Sequence, residues 1–306
     1  MRKGERSRLV SDGRCIGERA QGVKENPAPE MRVGQILQNH IARPAFACKN
    51  LLQTGMTASG DSALSHDIEE GTGLPVGLQV DTSPAKRPQR IRLEGRYVAL
   101  EPLDAARHAD SLYALSAGRA NDALWTYLPS GPFADAAAYR ANIATLAASP
   151  DPLFYAIVEK ASGRAIGHAG LMRIDEKNRS IEVGFILYTP VLQRTIGATE
   201  AMYLLMTYVF DALGYRRYEW KCNDLNAPSM QAARRLGFTY EGTFRQMQIV
   251  KGRNRDTAWF SMLDREWPVR KRGYQRWLDA ENFDVAGKQK TSLTQFIQLG
   301  QADGNN

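Results

Sequence analysis

Three apolar or alternating runs, LFYAIVEK (153–160), AIGHAGLMRI (165–174) and SIEVGFILY (180–188), are separated only by the polar turns ASGR and DEKNR. Parallel neighbours need a crossover of a dozen or more residues, so connections this short predict an antiparallel meander. The period then changes. Met202, Leu205, Met206, Val209, Phe210 and Leu213 recur at helical spacing, which predicts a helix over 199–213 with one face on the sheet and Gly214 closing it.

The flanking segments fit around this unit. RYVALEPL (96–103) reads as a strand, DAARHADSLYALS (104–116) as a helix with Asp104 as N-cap, and FADAAAYRANIATLAAS (133–149) as an Ala-rich helix. Beyond Gly214, YRRYEWKC (215–222) alternates again, with Tyr218, Trp220 and Cys222 on one side. NAPSMQAARRLG (226–237) predicts a short helix with Pro228 in its first turn and Gly237 at its end. EGTFRQMQIV and DTAWFSMLDREW flank the loop KGRNR as a hairpin. The expected class is α+β, a mixed, mostly antiparallel sheet flanked by helices over residues 86–285. Residues 1–85, rich in Gly, Ser, Pro and charge and lacking a sustained apolar period beyond MRVGQILQNHI, read as a disordered leader. That leader fits a regulatory tail, a targeting arm, or sequence ahead of a start codon lying further in. Residues 286–306 read as a C-terminal tail.

Composition excludes several classes. With 306 residues, 43% hydrophobic, the chain can bury a full core. The basic N-terminus is not followed by the 7–15 apolar residues of a signal peptide, and no run approaches the roughly 18 apolar residues of a membrane span. A cytoplasmic location is expected. Cys15, Cys48 and Cys222 are odd in number and form no CxxC, so neither a disulfide framework nor a metal site is expected.

The segment 180–201, SIEVGFILYTPVLQRTIGATEA, is a strand ending in a loop that opens onto an amphipathic helix. Backbone N–H groups at a helix N-terminus, helped by the macrodipole, form a phosphate cradle, and Arg194 lies beside it. The arrangement resembles the pyrophosphate loop of the GNAT (GCN5-related N-acetyltransferase) superfamily, Gln/Arg-x-x-Gly-x-Gly/Ala. Aligned on Thr199–Ala201, Gln193 takes the first position, Ile196 replaces the central glycine and Ala198 fits the last; this alignment is preferred. Aligned on the glycine, Arg194 comes first, Gly197 is central and Thr199 replaces the final small residue. The candidate cofactor contacts are therefore Gln193, Arg194, Thr195, Ile196, Gly197, Ala198 and Thr199. The plain alternative is an ordinary strand-to-helix connection.

A second segment, NDLNAPSMQAARRLGF (223–238), is similar to the motif in which Asn and Ser begin the family's fourth helix. The resemblance implies that Asn226 bonds the pantetheine arm of acetyl-CoA and that Ser229 lies near its sulfur. As bare residues both are also good helix caps. The closing EGTFRQ…KGRNRDTAWFSMLDREW is similar to the ribosomal-protein alanine acetyltransferase branch, and the resemblance spans roughly 90–268.

Strict alternation of SIEVGFIL puts Ile181, Val183, Phe185 and Leu187 on one face and Glu182, Gly184 and Ile186 on the other. Glu182 is a carboxylate in an apolar strand, suited to take the acceptor's proton or to pair with an arginine. The resemblance implies direct attack of a neutral amine on the thioester. Backbone N–H groups near Phe185, Ile186 and Leu187 would then bind the pantetheine or polarise the carbonyl, with Ser229 or a nearby tyrosine protonating the thiolate. His168, the only histidine of the meander, is a second candidate base. Trp125, Tyr127 and Phe133 are candidates for an acceptor pocket. The implied function is an N-acyltransferase moving acetyl from acetyl-CoA to a primary amine, a protein N-terminus or a small molecule. The net charge of +7 suits the phosphates of CoA, and equally a nucleic acid. The alternatives are a non-catalytic acyl-CoA-binding module, or an RNA- or ribosome-associated protein using that charge. The cluster RKRGYQRW (270–277) fits RNA contact or an amphipathic helix.

Overall fold

The computed structural model describes residues 30–32 and 66–302. In chain order the first strands are β1 (Glu30–Arg32), β2 (His66–Ile68), β3 (Pro75–Gly77), β4 (Arg92–Glu94) and β5 (Val98–Pro102). Helices α1 (Ala105–Ser116) and α2 (Ala136–Ala148) follow, then the meander β6 (Leu153–Glu159), β7 (Ala165–Asp175) and β8 (Ser180–Tyr188). Helix α3 (Ile196–Thr207), β9 (Arg217–Asn223), α4 (Ala227–Arg235), β10 (Thr239–Val250), β11 (Arg253–Leu263), α5 (Trp267–Leu278) and α6 (Leu293–Ala302) complete the order. The main sheet runs β1-β4-β5-β6-β7-β8-β9-β11-β10. Only the β1/β4 and β8/β9 pairs are parallel, so the architecture is the mixed, mostly antiparallel α+β sheet expected.

Local chemistry sets the element ends. Asp104 and Asp135 cap α1 and α2 by accepting the Arg107 and Ala138 N–H groups, each at 2.8 Å. Gly214, with φ of 77°, turns the chain after α3 and its π-helical last turn, Tyr208–Ala212. The β10–β11 connection is tighter than the five-residue loop expected. Lys251 and Gly252 both take positive φ, 49° and 71°, so a two-residue turn suffices and Arg253 already belongs to the strand.

Helix α3 is not one-sided. Every residue from Gly197 to Thr207 is buried, because α5 covers the face turned away from the sheet. Tyr203 stacks on Tyr274 with ring centroids 5.5 Å apart. Of the basic and aromatic residues of 270–277, Arg270, Lys271, Tyr274 and Trp277 are engaged in packing, while Arg272 and Arg276 are exposed. Arg270 Nε donates to the Gly237 carbonyl at 2.7 Å, Tyr274 donates to the Leu236 carbonyl at 2.9 Å, and Lys271 pairs with Asp211 at 2.8 Å. They belong to an amphipathic helix docked on the core. The segment 286–306 contains α6, whose Leu293 and Ile297 are buried in the main core.

The reading of 1–85 as a disordered leader falls largely on residues outside those described. Within the described ones, β1 pairs with β4, and β2 with β3 forms an exposed hairpin. Just beyond that hairpin, Arg179 Nη1 reaches Asp81 at 3.1 Å. Among the described residues no helix is long and apolar enough to cross a membrane.

Candidate active site

Strands β8 and β9 hold together only from Ser180↔Arg217 to Val183↔Trp220 and then part. The cause lies on the other side of β8. His168 pairs with Leu187 and Gly170 with Gly184, so Phe185 and Ile186 both stand opposite Ala169, and Phe185 takes a left-handed φ of 51°. Such a bulge bends and twists its strand. The edge of Gly184–Tyr188 that faces β9 is thereby left without a strand partner, and a cleft of about 1790 Å³ opens between the strands.

The bulge also corrects the expected alternation. Ile181 and Val183 face the main core, but Phe185 and Leu187 join the second cluster with α1 and α2, while Ile186 and Tyr188 return to the first. A residue inserted into a strand shifts the side-chain phase by one, which a strict period of two cannot anticipate.

The candidate cofactor contacts, Glu182 and Ser229 all line this one cleft: Phe185, Ile186 and Leu187 on β8, the run from Gln193 to Thr199, Asn226 and Ser229 on α4, and Glu182. Helix α3 starts at Ile196, and its N-cap Thr195 accepts the Ala198 N–H at 3.1 Å. The N–H groups of Ile196 and Gly197 have no partner among the described residues and open to the cleft as an anion cradle. Gln193 folds back, its amide donating to the Tyr188 carbonyl at 2.9 Å. Arg194, held at φ of 62°, has no ion-pair or hydrogen-bond partner among the described residues.

Gly197 also has a packing role. A Cβ there would stand 2.8 Å from Val98 Cγ1, so its bareness lets α3 sit against β5. Thr199 is buried and its hydroxyl accepts from both terminal nitrogens of Arg235 at 3.1 Å. Arg235 thus stands beside the cradle with its guanidinium on the cleft wall and no carboxylate partner. Sequence reasoning missed it, because an arginine in the last turn of a helix reads as a complement to the helix dipole.

Asn226 caps α4, its Oδ1 accepting the Ser229 N–H at 3.2 Å, and its amide nitrogen remains free to donate to a ligand. Ser229 Oγ accepts the Trp220 indole N–H at 3.0 Å, which directs its own proton elsewhere. Cys222, free and buried beside it, has its thiol pushed up by that burial. Tyr188 is not poised as a proton donor. Its hydroxyl donates to the Ala198 carbonyl at 2.9 Å, and burial holds it far above the usual phenol range.

Glu182 is 3% exposed, and its Oε2 meets Arg173 at 2.6 Å and Lys221 at 3.0 Å. Lys221 also binds Glu219 at 2.7 Å and lies 3.7 Å over the Trp259 ring. Oε1 stays out of both pairs and lies on the Gly184 side. His168 is excluded as a base by position: it is buried, does not line the cleft, and burial depresses its pKa to about 4. Of the three aromatic candidates Tyr127 lines the cleft, its hydroxyl donating to the Leu225 carbonyl at 3.0 Å. Trp125 and Phe133 instead pack edge to face in the second core cluster, 5.3 Å apart.

The charge of the cleft is lopsided. Arg96, Lys160, Arg173, Arg194, Lys221, Arg235, Arg255 and Lys288 line it against Glu159 and Glu182, a field that favours a polyanionic ligand.

Comparison with known proteins agrees with this geometry. Residues 98–239 match the family described as the acetyltransferase (GNAT) domain. The chain superposes on a GCN5-related N-acetyltransferase from Brucella melitensis with a TM-score of 0.70 and 50% identity, over 71% of this chain and 99% of that one. It is 34% identical over 113 residues to the uncharacterised N-acetyltransferase p20 of Bacillus licheniformis, which is 37% of this chain and 63% of that protein. It is 31% identical over 105 residues to YdaF of Bacillus subtilis (strain 168), named provisionally as a ribosomal N-acetyltransferase, over 34% and 57% of the two chains. The matched region thus spans less than two thirds of the length of these two curated relatives.

Proposed function

The chain belongs to the GNAT acetyltransferase family, and we propose that it transfers an acetyl group from acetyl-CoA to a primary amine by direct attack, in the cytoplasm. The observation that carries this reading is the convergence on one cleft of an open helix N-terminus and a strand edge freed by a bulge. The first suits a pyrophosphate, and the second suits the amide groups of a pantetheine arm running between β8 and β9.

In the proposed sequence Ile196, Gly197, Arg194 and Arg235 hold the pyrophosphate, and the Asn226 amide and the free edge of β8 hold the arm. The amine nitrogen attacks the thioester carbon, its N–C bond forms, and the proton it sheds goes to Glu182 Oε1, directly or through water. The C–S bond then breaks, the thiolate takes the Ser229 proton, which solvent replaces, and Glu182 returns its proton to solvent. The Trp220 N–H supports this step by occupying the serine's acceptor side.

The test is acetyl-CoA titration by calorimetry together with thiol release against pooled amines and N-terminal peptides. Binding without turnover across the panel supports a non-catalytic acyl-CoA-binding module instead. Two variants check the parts. Arg235→Ala is expected to raise the acetyl-CoA KM about tenfold with kcat nearly unchanged, as for loss of uniform binding. Ser229→Ala is expected to lower kcat by about 10² at unchanged acetyl-CoA KM, the low end of the range for acid–base groups. A drop in melting temperature with intact kinetics makes Ser229 only a structural partner of the Trp220 indole.

A further inference from the structure

On β11, Arg255, Thr257 and Trp259 alternate and so share one face of the sheet. Thr257 stands opposite Asn223 and Trp259 opposite Lys221, which places this row beside Glu219 on β9 and, one strand further, Glu182 on β8. Three buried polar atoms along the row have no hydrogen-bond partner among the described residues: Arg255 Nε, Thr257 Oγ1 and Trp259 Nε1. Native structures leave few such atoms, and each asks for an explanation.

Arg255 is the informative one. It lies past the last β9–β11 pair, Thr257↔Asn223, level with the gap between β8 and β9, and its side chain lines the cleft. Its guanidinium forms no ion pair with any described residue. The carboxylates near it are engaged: Glu182 by Arg173 and Lys221, and Asp256 by the Gln246 N–H at 2.7 Å and the Asn254 amide at 2.8 Å. Burial acts against its charge, while Glu182 favours it and Arg173 opposes it. A half-buried arginine without a carboxylate, beside two further cations, is built to receive an anion from outside, and its planar fork matches a carboxylate.

We propose that the acceptor amine carries a carboxylate, which Arg255 binds from the wall of the cleft near Glu182. The inference rests on the acetyl-transfer reading of the cleft. It selects amino acids or peptides with an acidic residue near the N-terminus, and it disfavours polyamines, whose second cation would meet Arg173, Lys221 and Arg255.

The test compares acceptors in matched pairs with acetyl-CoA as donor. One arm uses free α-amino acids against their α-carboxamides, and the other uses short peptides with Asp or Glu at the first positions against their Asn or Gln counterparts. The expected result is at least a tenfold preference in kcat/KM for the carboxylate member in one arm, and that arm identifies the source. For the amino-acid arm the test is stringent, because an α-carboxamide lowers the amine's basicity and leaves more of it neutral. Arg255→Gln is expected to abolish the preference through the acceptor KM, with the acetyl-CoA KM unchanged, and Arg255→Lys to restore part of it. Equal rates within pairs, a preference surviving in Arg255→Gln, or transfer only to amines without carboxylates overturns the inference while leaving acetyl transfer standing. A protein that binds no acetyl-CoA overturns both.

Discussion

Glu182→Gln is expected to lower the rate of acetyl transfer by about 10²–10⁴, the usual range for a general base, with acetyl-CoA affinity and fold retained. The fold should survive because the substitution removes one charge from a network that keeps its other acid. Lys221 still has Glu219 at 2.7 Å, and the amide oxygen of a glutamine still accepts from Arg173. The pH profile separates catalysis from architecture. Without a base the rate at low pH follows the neutral fraction of the amine, rising about tenfold per unit up to the amine's own pKa, so activity recovers partly in alkali. The measurement is the full profile of both proteins on one amine of known pKa. Superimposable profiles would make Glu182 a pure ion-pair partner of Arg173 and Lys221 and assign the proton to water.

Glu200→Ala is expected to destabilise the protein by about 3 kcal/mol or more, and to weaken acetyl-CoA binding with it. The carboxylate of Glu200 is 4% exposed and accepts three consecutive backbone N–H groups, from Arg96 and Tyr97 at 2.7 Å and from Val98 at 2.9 Å. Each donor left unsatisfied costs about 1–3 kcal/mol. The chain at Gly95 packs so closely here that a Cβ would stand 2.6 Å from the carboxyl group. The contact fixes the β4–β5 turn against the second turn of α3, directly after the first turn whose N–H groups form the anion cradle. Glu200→Gln keeps one oxygen and should lose less. Urea unfolding of the three proteins measures this directly. A change below about 1 kcal/mol, smaller than the cost of a single unsatisfied donor, would show that another contact holds the turn.

The sequence alone reached the meander, the helices at 104–116 and 226–237, and the cleft residues, for one reason. Helix caps, turn glycines and hydrophobic periods are local, and each declares itself within a few residues. Asp104, Asn226 and Gly237 did so, and the helix N-terminus after Arg194 followed from the change of period at the end of the meander. Residues whose meaning lies in a distant partner were silent. Glu200 is the middle of a three-residue motif in the sequence, yet its carboxylate serves a turn a hundred residues upstream. Arg235 is a helix-ending base until Thr199 orients it, and Arg255 is one more loop cation until β9 ends short of it. Phe185 is decided by the same kind of cause: one extra residue against Ala169 inverts the faces that alternation assigns and separates β8 from β9. Periodicity thus determined which elements exist and which bear the chemistry. Only the tertiary structure decided which charges are neutralised within the protein and which are left for a ligand, because ion pairing is settled by distances in space between groups far apart in the chain.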